Sequence, residues 1–239
     1  MSSNRGVIWE RPERAARGPA PSLSRETIST AAVKLADAQG IEAVSMRTLA
    51  LELGVGAASL YRYVARKDEL IELMVDAVMG NDLKFEIRGD WREDLRSFAH
   101  GLRAMTLRHP WMAVPSAGLR NFGPNTAERY EQVLGAIDGL GLDIDDMLVM
   151  VETLDAYVRG RALEELAERE AVRRSGLDQE QWMQVQTPYV ESLISSGHYP
   201  LLTRVVFDAR SPHDPDRLKN SFDLGLERVL DGLATMLPQ

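Results

Sequence analysis

The run SLYRYVARKDEL, residues 59–70, gathers Tyr61, Arg62, Tyr63, Arg66 and Lys67 between the apolar residues Leu60, Val64 and Leu70. Phenolic hydroxyls and cationic side chains so close together can hydrogen-bond and neutralise phosphates, the sequence-independent part of nucleic-acid binding. The rest of the chain makes this concentration unusual. Its net charge is −8, yet residues 1–67 carry ten Lys/Arg against six Asp/Glu, while residues 68–239 carry eighteen against thirty. A basic end on an acidic body suggests a module for a polyanion, although a solvated face can also carry an imbalance of this size.

Other chemistries find little support. There is no cysteine, which removes thiol nucleophiles, disulfides and Cys-type zinc sites. His100, His109, His198 and His213 stand in no metal-ligand or catalytic motif, and His109 before Pro110 reads as a helix-ending residue. No phosphate-cradling glycine loop or nucleophile elbow occurs. The acidic runs DIDDM and EELAERE read as helix caps and solvated faces. An enzyme is therefore not expected, nor is a metal or cofactor. With 44% apolar and 27% charged residues the composition is that of a soluble globular protein. No run approaches the roughly 18 apolar residues of a membrane span, and the first twenty residues lack the apolar block of a secretory signal. A cytoplasmic location is expected.

The elements that must position the basic run are helices. From Ser24 as N-cap, Ile28, Ala31, Ala32, Leu35 and Ala36 recur at helical spacing up to Gly40. A shorter helix runs from Ser45 through Leu49 and Leu53 to Gly54, and a third from about Ala57 to Val64. Acidic residues in its first turn open a fourth helix at 67–79, with Asp68 and Glu69 as helix-start residues. Further helices are expected at about 90–108, 110–117, 125–138, 143–173, 178–195, 198–209 and 215–236. RVVF at 204–207 is the one strand-like run, and it cannot make a sheet alone. The fold class is all-α. Pro12, Pro19, Pro21 and four arginines make residues 1–22 a flexible basic arm, followed by a three-helix head at 23–67 and a larger helical domain at 68–239.

Two short helices joined by LGVG form a helix-turn-helix, with Gly54 allowing the sharp turn and Leu49, Leu53, Val55 and Leu60 forming the seam. In that arrangement the second helix enters the major groove, which presents Gly56, Ala57, Ala58, Ser59, Tyr61, Arg62 and Tyr63 to DNA. From Arg25 to Leu70, through MRTLALELGVGAASLYRYVARKDEL, the chain resembles the DNA-binding domain of the TetR (tetracycline repressor) family of bacterial transcription regulators. The resemblance implies that Arg47 reaches DNA, that Ala57, Ala58 and Ser59 lie at base contacts, and that Tyr61, Tyr63 and Lys67 grip phosphates. Gly56 and the two alanines depart from members with Gln or Thr at those positions. Readout is then expected from Arg47, Arg62, Ser59, thymine-methyl contacts and DNA shape.

A single helix-turn-helix reads few base pairs, so a homodimer on a palindromic operator is expected. Apolar stripes occupy the 143–173 helix (Met147, Leu148, Val151, Leu154, Val158, Ala162) and the 215–236 helix (Leu218, Phe222, Leu226, Val229, Leu230, Leu233). The resemblance implies a four-helix bundle between subunits through these helices; packing within one chain is the other reading. A regulator of this kind would enclose a small-molecule effector, with candidate contacts at Met105, Trp111, Phe122, Met150, Asp155, Tyr157, Arg159, Trp182 and Tyr189. SFAHGLRAMTLRHPWM and the stretch from Asn125 to Gly160 resemble tetracycline-repressor C-terminal domains. Ser116, however, aligns with their magnesium-chelating histidine, which argues against magnesium-tetracycline as the inducer. The function implied is a ligand-responsive repressor. The alternatives are a sequestering protein with a degenerate head, or an activator or global regulator of the same fold.

Overall fold

The structure is a computed structural model, and it describes residues 7–12, 23–113, 123–177, 179–209, 214 and 216–238. Among these residues all regular structure is helical. The helices are α1 (Arg25–Gln39), α2 (Met46–Glu52), α3 (Ala57–Leu60), α4 (Lys67–Asn81), α5 (Trp91–Arg108), α6 (Pro124–Gly135), α7 (Ile144–Ser175), α8 (Gln179–Ser195), α9 (Pro200–Phe207) and α10 (Arg217–Ala234). The expected caps are in place. Ser24 accepts the Thr27 amide at 3.0 Å, and Ser45 and Thr48 satisfy each other's amides reciprocally at the start of α2. Asp90 caps α5, accepting from the Arg92 and Glu93 amides.

Two local expectations need correction. The third helix ends at Leu60 rather than Val64, and the chain continues in tight turns, with the Tyr63 and Val64 amides both donating to the Leu60 carbonyl. Leu60 and Val64 are fully buried and pin this turn from below. The strand-like RVVF lies in α9, which Pro200 opens, as the helix expected at 198–209 requires. Finally, the free arm expected over residues 1–22 is not free over 7–12. Ile8 is completely buried in a 3₁₀ turn, and Arg11 pairs with Glu69. Proline and arginine content concealed Ile8 and Trp9, with apolar surface to bury.

The chain forms two compact units, residues 1–159 with 236–239, and residues 160–235. The division between these two units falls within α7. In the first unit α4 packs on both α1 and α6, so head and body share it. Leu70, Leu73, Met74 and Val78 of α4 and Leu95, Phe98, Leu102 and Met105 of α5 are buried. In the second unit, α10 buries Phe222, Leu226, Leu230 and Leu233. Arg217 pairs with Glu168, and Arg161 bonds Ser221.

Candidate nucleic-acid interface and cavity

Gly54 turns the chain between α2 and α3 at φ +66°, a left-handed conformation that disfavours any side chain with a Cβ. The Val55 amide closes the turn on Ala50 at 3.0 Å. Leu49 and Leu60, both wholly buried, fix the two helices against each other. The residues expected to meet DNA remain outward. Arg47 is exposed on the first turn of α2; Ala58, Tyr61, Arg62 and Lys67 are exposed; Ala57, Ser59 and Tyr63 are half-buried. Arg62 Nη2 donates to Ser59 Oγ at 3.2 Å, so the two polar groups nearest the bare Gly56–Ala58 stretch are presented together. No side chain caps the first turn of α4, which leaves its amides for an anion.

Glu69 was missed by the reading from sequence. Rather than an ordinary helix-start acid, it is 3% exposed. Its carboxylate accepts the Ala65 amide at 2.8 Å and pairs with Arg11 at 2.5 Å and Arg66 at 3.4 Å. Burial pushes its pKa up, but the Ala65 amide and the two guanidiniums outweigh burial and hold it below the usual carboxylate value. Arg25 adds bonds to the carbonyls of Tyr63 at 3.4 Å and Arg11 at 2.8 Å. In sequence Arg11 is just one arm arginine among four.

A cavity of about 490 Å³ opens among α4, α5, α6 and α7 in the first unit. Its apolar wall includes Met79, Phe98, Leu102 and Val133, and its polar positions include Thr126, Tyr130, Glu152, Asp155 and Arg159. Such a mixture of apolar wall and few polar groups suits a small organic ligand. Arg159 Nε donates to Asp155 Oδ2 at 2.7 Å. Arg129, also at the wall, donates to the Met79 carbonyl at 3.3 Å and the Gly80 carbonyl at 3.1 Å, satisfying the end of α4. In the opposite sense Asp76 of α4 caps α6, accepting from the Thr126 amide at 2.8 Å, the Thr126 hydroxyl at 3.0 Å and Asn125 Nδ2 at 2.9 Å. The cavity wall is thereby bonded to the helix that starts at the head.

Of the expected ligand residues, Asp155 and Arg159 line this cavity. They stand one turn apart on α7 and so share a face, whereas Tyr157, two positions from each, does not. Met105 and Met150 are buried in the core, and Trp111 donates its indole N–H to Asp37 at 2.7 Å. Trp182 and Tyr189 lie outward on α8, 51% and 64% exposed. Phe122 and Ser116 fall outside the described residues. The sequence reading missed Phe98, Arg129 and Tyr130, whose spacing looks like that of ordinary amphipathic helices. Of the α7 stripe expected at a dimer face, Met147, Val151, Leu154, Val158 and Ala162 are buried within the chain and Leu148 is half-buried. Exposed apolar residues also lie on α8 and α9, at Trp182, Val185, Tyr189, Leu201, Val205 and Phe207.

Residues 28–74 match the family described as bacterial regulatory proteins, tetR family, and residues 86–237 match the tetracyclin repressor-like C-terminal domain. The chain belongs to the TetR family. The HTH-type transcriptional repressor DrrR1 of Streptomyces coeruleorubidus is 37% identical over 235 residues, covering 98% of this chain and 85% of that one. The class A tetracycline repressor protein from transposon 1721 in Escherichia coli is 28% identical, covering 89% and 91% of the two chains. Among solved structures, the Streptomyces coelicolor TetR family protein ActR in complex with actinorhodin superposes with TM-score 0.75 at 27% identity, over 92% of this chain and 99% of that one. The TetR resemblance of the head and the all-helical class both hold. Among the described residues no helix is long and apolar enough to cross a membrane.

Proposed function

We propose that this TetR-family protein is a homodimeric repressor that binds a palindromic operator and is released by a small molecule held in the α4–α7 cavity. The observation that carries this reading is α4 itself. Its first residue, Lys67, belongs to the exposed basic and aromatic row of the head, and Met79, near its other end, lines the cavity. A ligand that fits one position of α4 better than another shifts the population of heads placed to bind DNA. The ligand-bound ActR structure and the repressor DrrR1 support the same reading. Tyr61, Tyr63 and Lys67 grip phosphates, Arg47, Arg62 and Ser59 address base edges, and Ala57 and Ala58 allow thymine-methyl contact.

The second copy docks on the apolar side of α8 and α9, joined by Leu224, which is 61% exposed on α10. The 143–173 helix expected at this contact from sequence keeps Val149 and Leu163 exposed as well. Selection of bound fragments from sheared genomic DNA, repeated with metabolite extract, tests the whole reading. The expected result is one palindromic sequence with half-sites about one helical turn apart or a multiple of it, lost on addition of an active extract fraction. Recovery of unrelated fragments would discard the operator, and retention under every extract would discard the effector.

A further inference from the structure

The N-terminal segment is fixed at two ends. At one, Ile8 is wholly buried, and Trp9 lies so near Gly123, just before α6, that a Cβ on Gly123 would come within 2.6 Å of the indole ring. At the other, Arg11 pairs with Glu69 at 2.5 Å. Glu69 holds the Ala65 amide at 2.8 Å. Arg25 of α1 ties the Arg11 carbonyl at 2.8 Å to the Tyr63 carbonyl at 3.4 Å. The main chain held by these bonds is the turn from Tyr63 to Lys67, which also carries groups assigned to the phosphate grip.

We propose that Arg11 is a positioning residue for DNA binding: paired with Glu69, it fixes the Tyr63–Lys67 turn in the shape that grips phosphate. The proposal rests on the operator reading above. A turn ordered in the free protein has little backbone freedom left to lose on binding. Without the pair the turn is competent for only part of the time, and apparent affinity falls by that fraction. The guanidinium of Arg11 is committed to Glu69 and its side chain is 23% exposed, so it is not a phosphate ligand. Its loss should therefore weaken binding without changing the number of phosphates contacted. A residue that touched phosphate would behave differently, because each lost contact makes the slope of log K against log salt shallower by about 0.9.

The test uses the full chain and the selected operator, with Arg11→Gln, Arg11→Lys and Glu69→Gln compared with wild type across a salt series. Amide exchange at Ala65 is followed in the free proteins. Arg11→Gln should bind about tenfold more weakly with an unchanged salt slope, Arg11→Lys should recover part of the loss, and the Ala65 amide should exchange faster in Arg11→Gln while α1 stays protected. Glu69→Gln keeps the side chain's size and an acceptor for the Ala65 amide but removes the charge. It should reproduce the loss, and it decides between the outcomes if Arg11→Gln unfolds the head. Wild-type affinity in the folded glutamine variants, or a slope shallower by about one in Arg11→Gln, overturns the proposal. If wild-type protein selects no operator, the reading beneath it falls; if wild type and Arg11→Gln bind alike, only the Arg11 assignment falls.

Discussion

Lys67 and Glu69 stand two positions apart at the start of α4 and serve opposite ends. The lysine is exposed and its charge is available to a phosphate; the glutamate is buried and its charge is consumed internally. Lys67→Ala should accordingly weaken operator binding and make the salt slope shallower by about 0.9, measured by fluorescence anisotropy at several salt concentrations. A slope identical to wild type would remove Lys67 from the grip. Glu69 should appear in the stability of the free protein instead. Its folded pKa lies below the ordinary value of 4.5, so its contribution is complete above that value and is lost as pH falls through the lower folded one. Glu69→Gln should melt at a lower temperature than wild type near neutral pH, with the gap closing in acid; a gap that widened in acid would contradict the sign.

At the scale of elements, α4 and α6 are joined by reciprocal capping. Asp76 satisfies the amides at the start of α6, and Arg129 of α6 satisfies carbonyls at the end of α4. Asp76→Ala would leave the Thr126 amide and the Asn125 side chain without their acceptor, a loss of about 1–3 kcal/mol. For a chain of this size that corresponds to a melting temperature lower by several degrees. Gly123 belongs to the same joint. A Cβ there would stand 2.3 Å from Asp76 Oδ1 and 2.6 Å from the Trp9 ring, so Gly123→Ala should destabilise by about 1–3 kcal/mol through overpacking. Calorimetry showing either variant as stable as wild type would mean that the joint contributes nothing. His109 belongs to another joint, with Nδ1 2.8 Å from Asp37 of α1 and Nε2 3.5 Å from Asp82 beyond α4. The sequence suggested only that it ended α5.

For the whole molecule, the decisive feature is the uncovered apolar side of α8 and α9. Tyr189 is 64% and Phe207 70% exposed, and a large exposed apolar patch marks an interaction site. The double variant Tyr189→Glu, Phe207→Glu should sediment as a monomer and lose operator affinity, since one head reads a single half-site. The head should melt unchanged. A variant that remained dimeric would move the interface elsewhere.

Helical periodicity and the Ser24, Ser45 and Gly54 signals were sufficient to read the fold class, most helices and the helix-turn-helix, because caps and amphipathic spacing are local properties of the chain. The exposed positions of Tyr61 and Arg62 follow from the same arrangement, whereas Arg47 and Lys67 were singled out by the resemblance to the TetR family. The destination of each apolar stripe was not. The α7 stripe and the α8–α9 surface are comparably apolar in sequence, and only tertiary packing shows that one is largely buried within the chain and the other left open. Arg11, Glu69, Asp76 and Arg129 were invisible as partners because their contacts join residues roughly fifty or more positions apart. Composition and local spacing determine what a segment can form; which distant charge it meets is decided only when the helices stack.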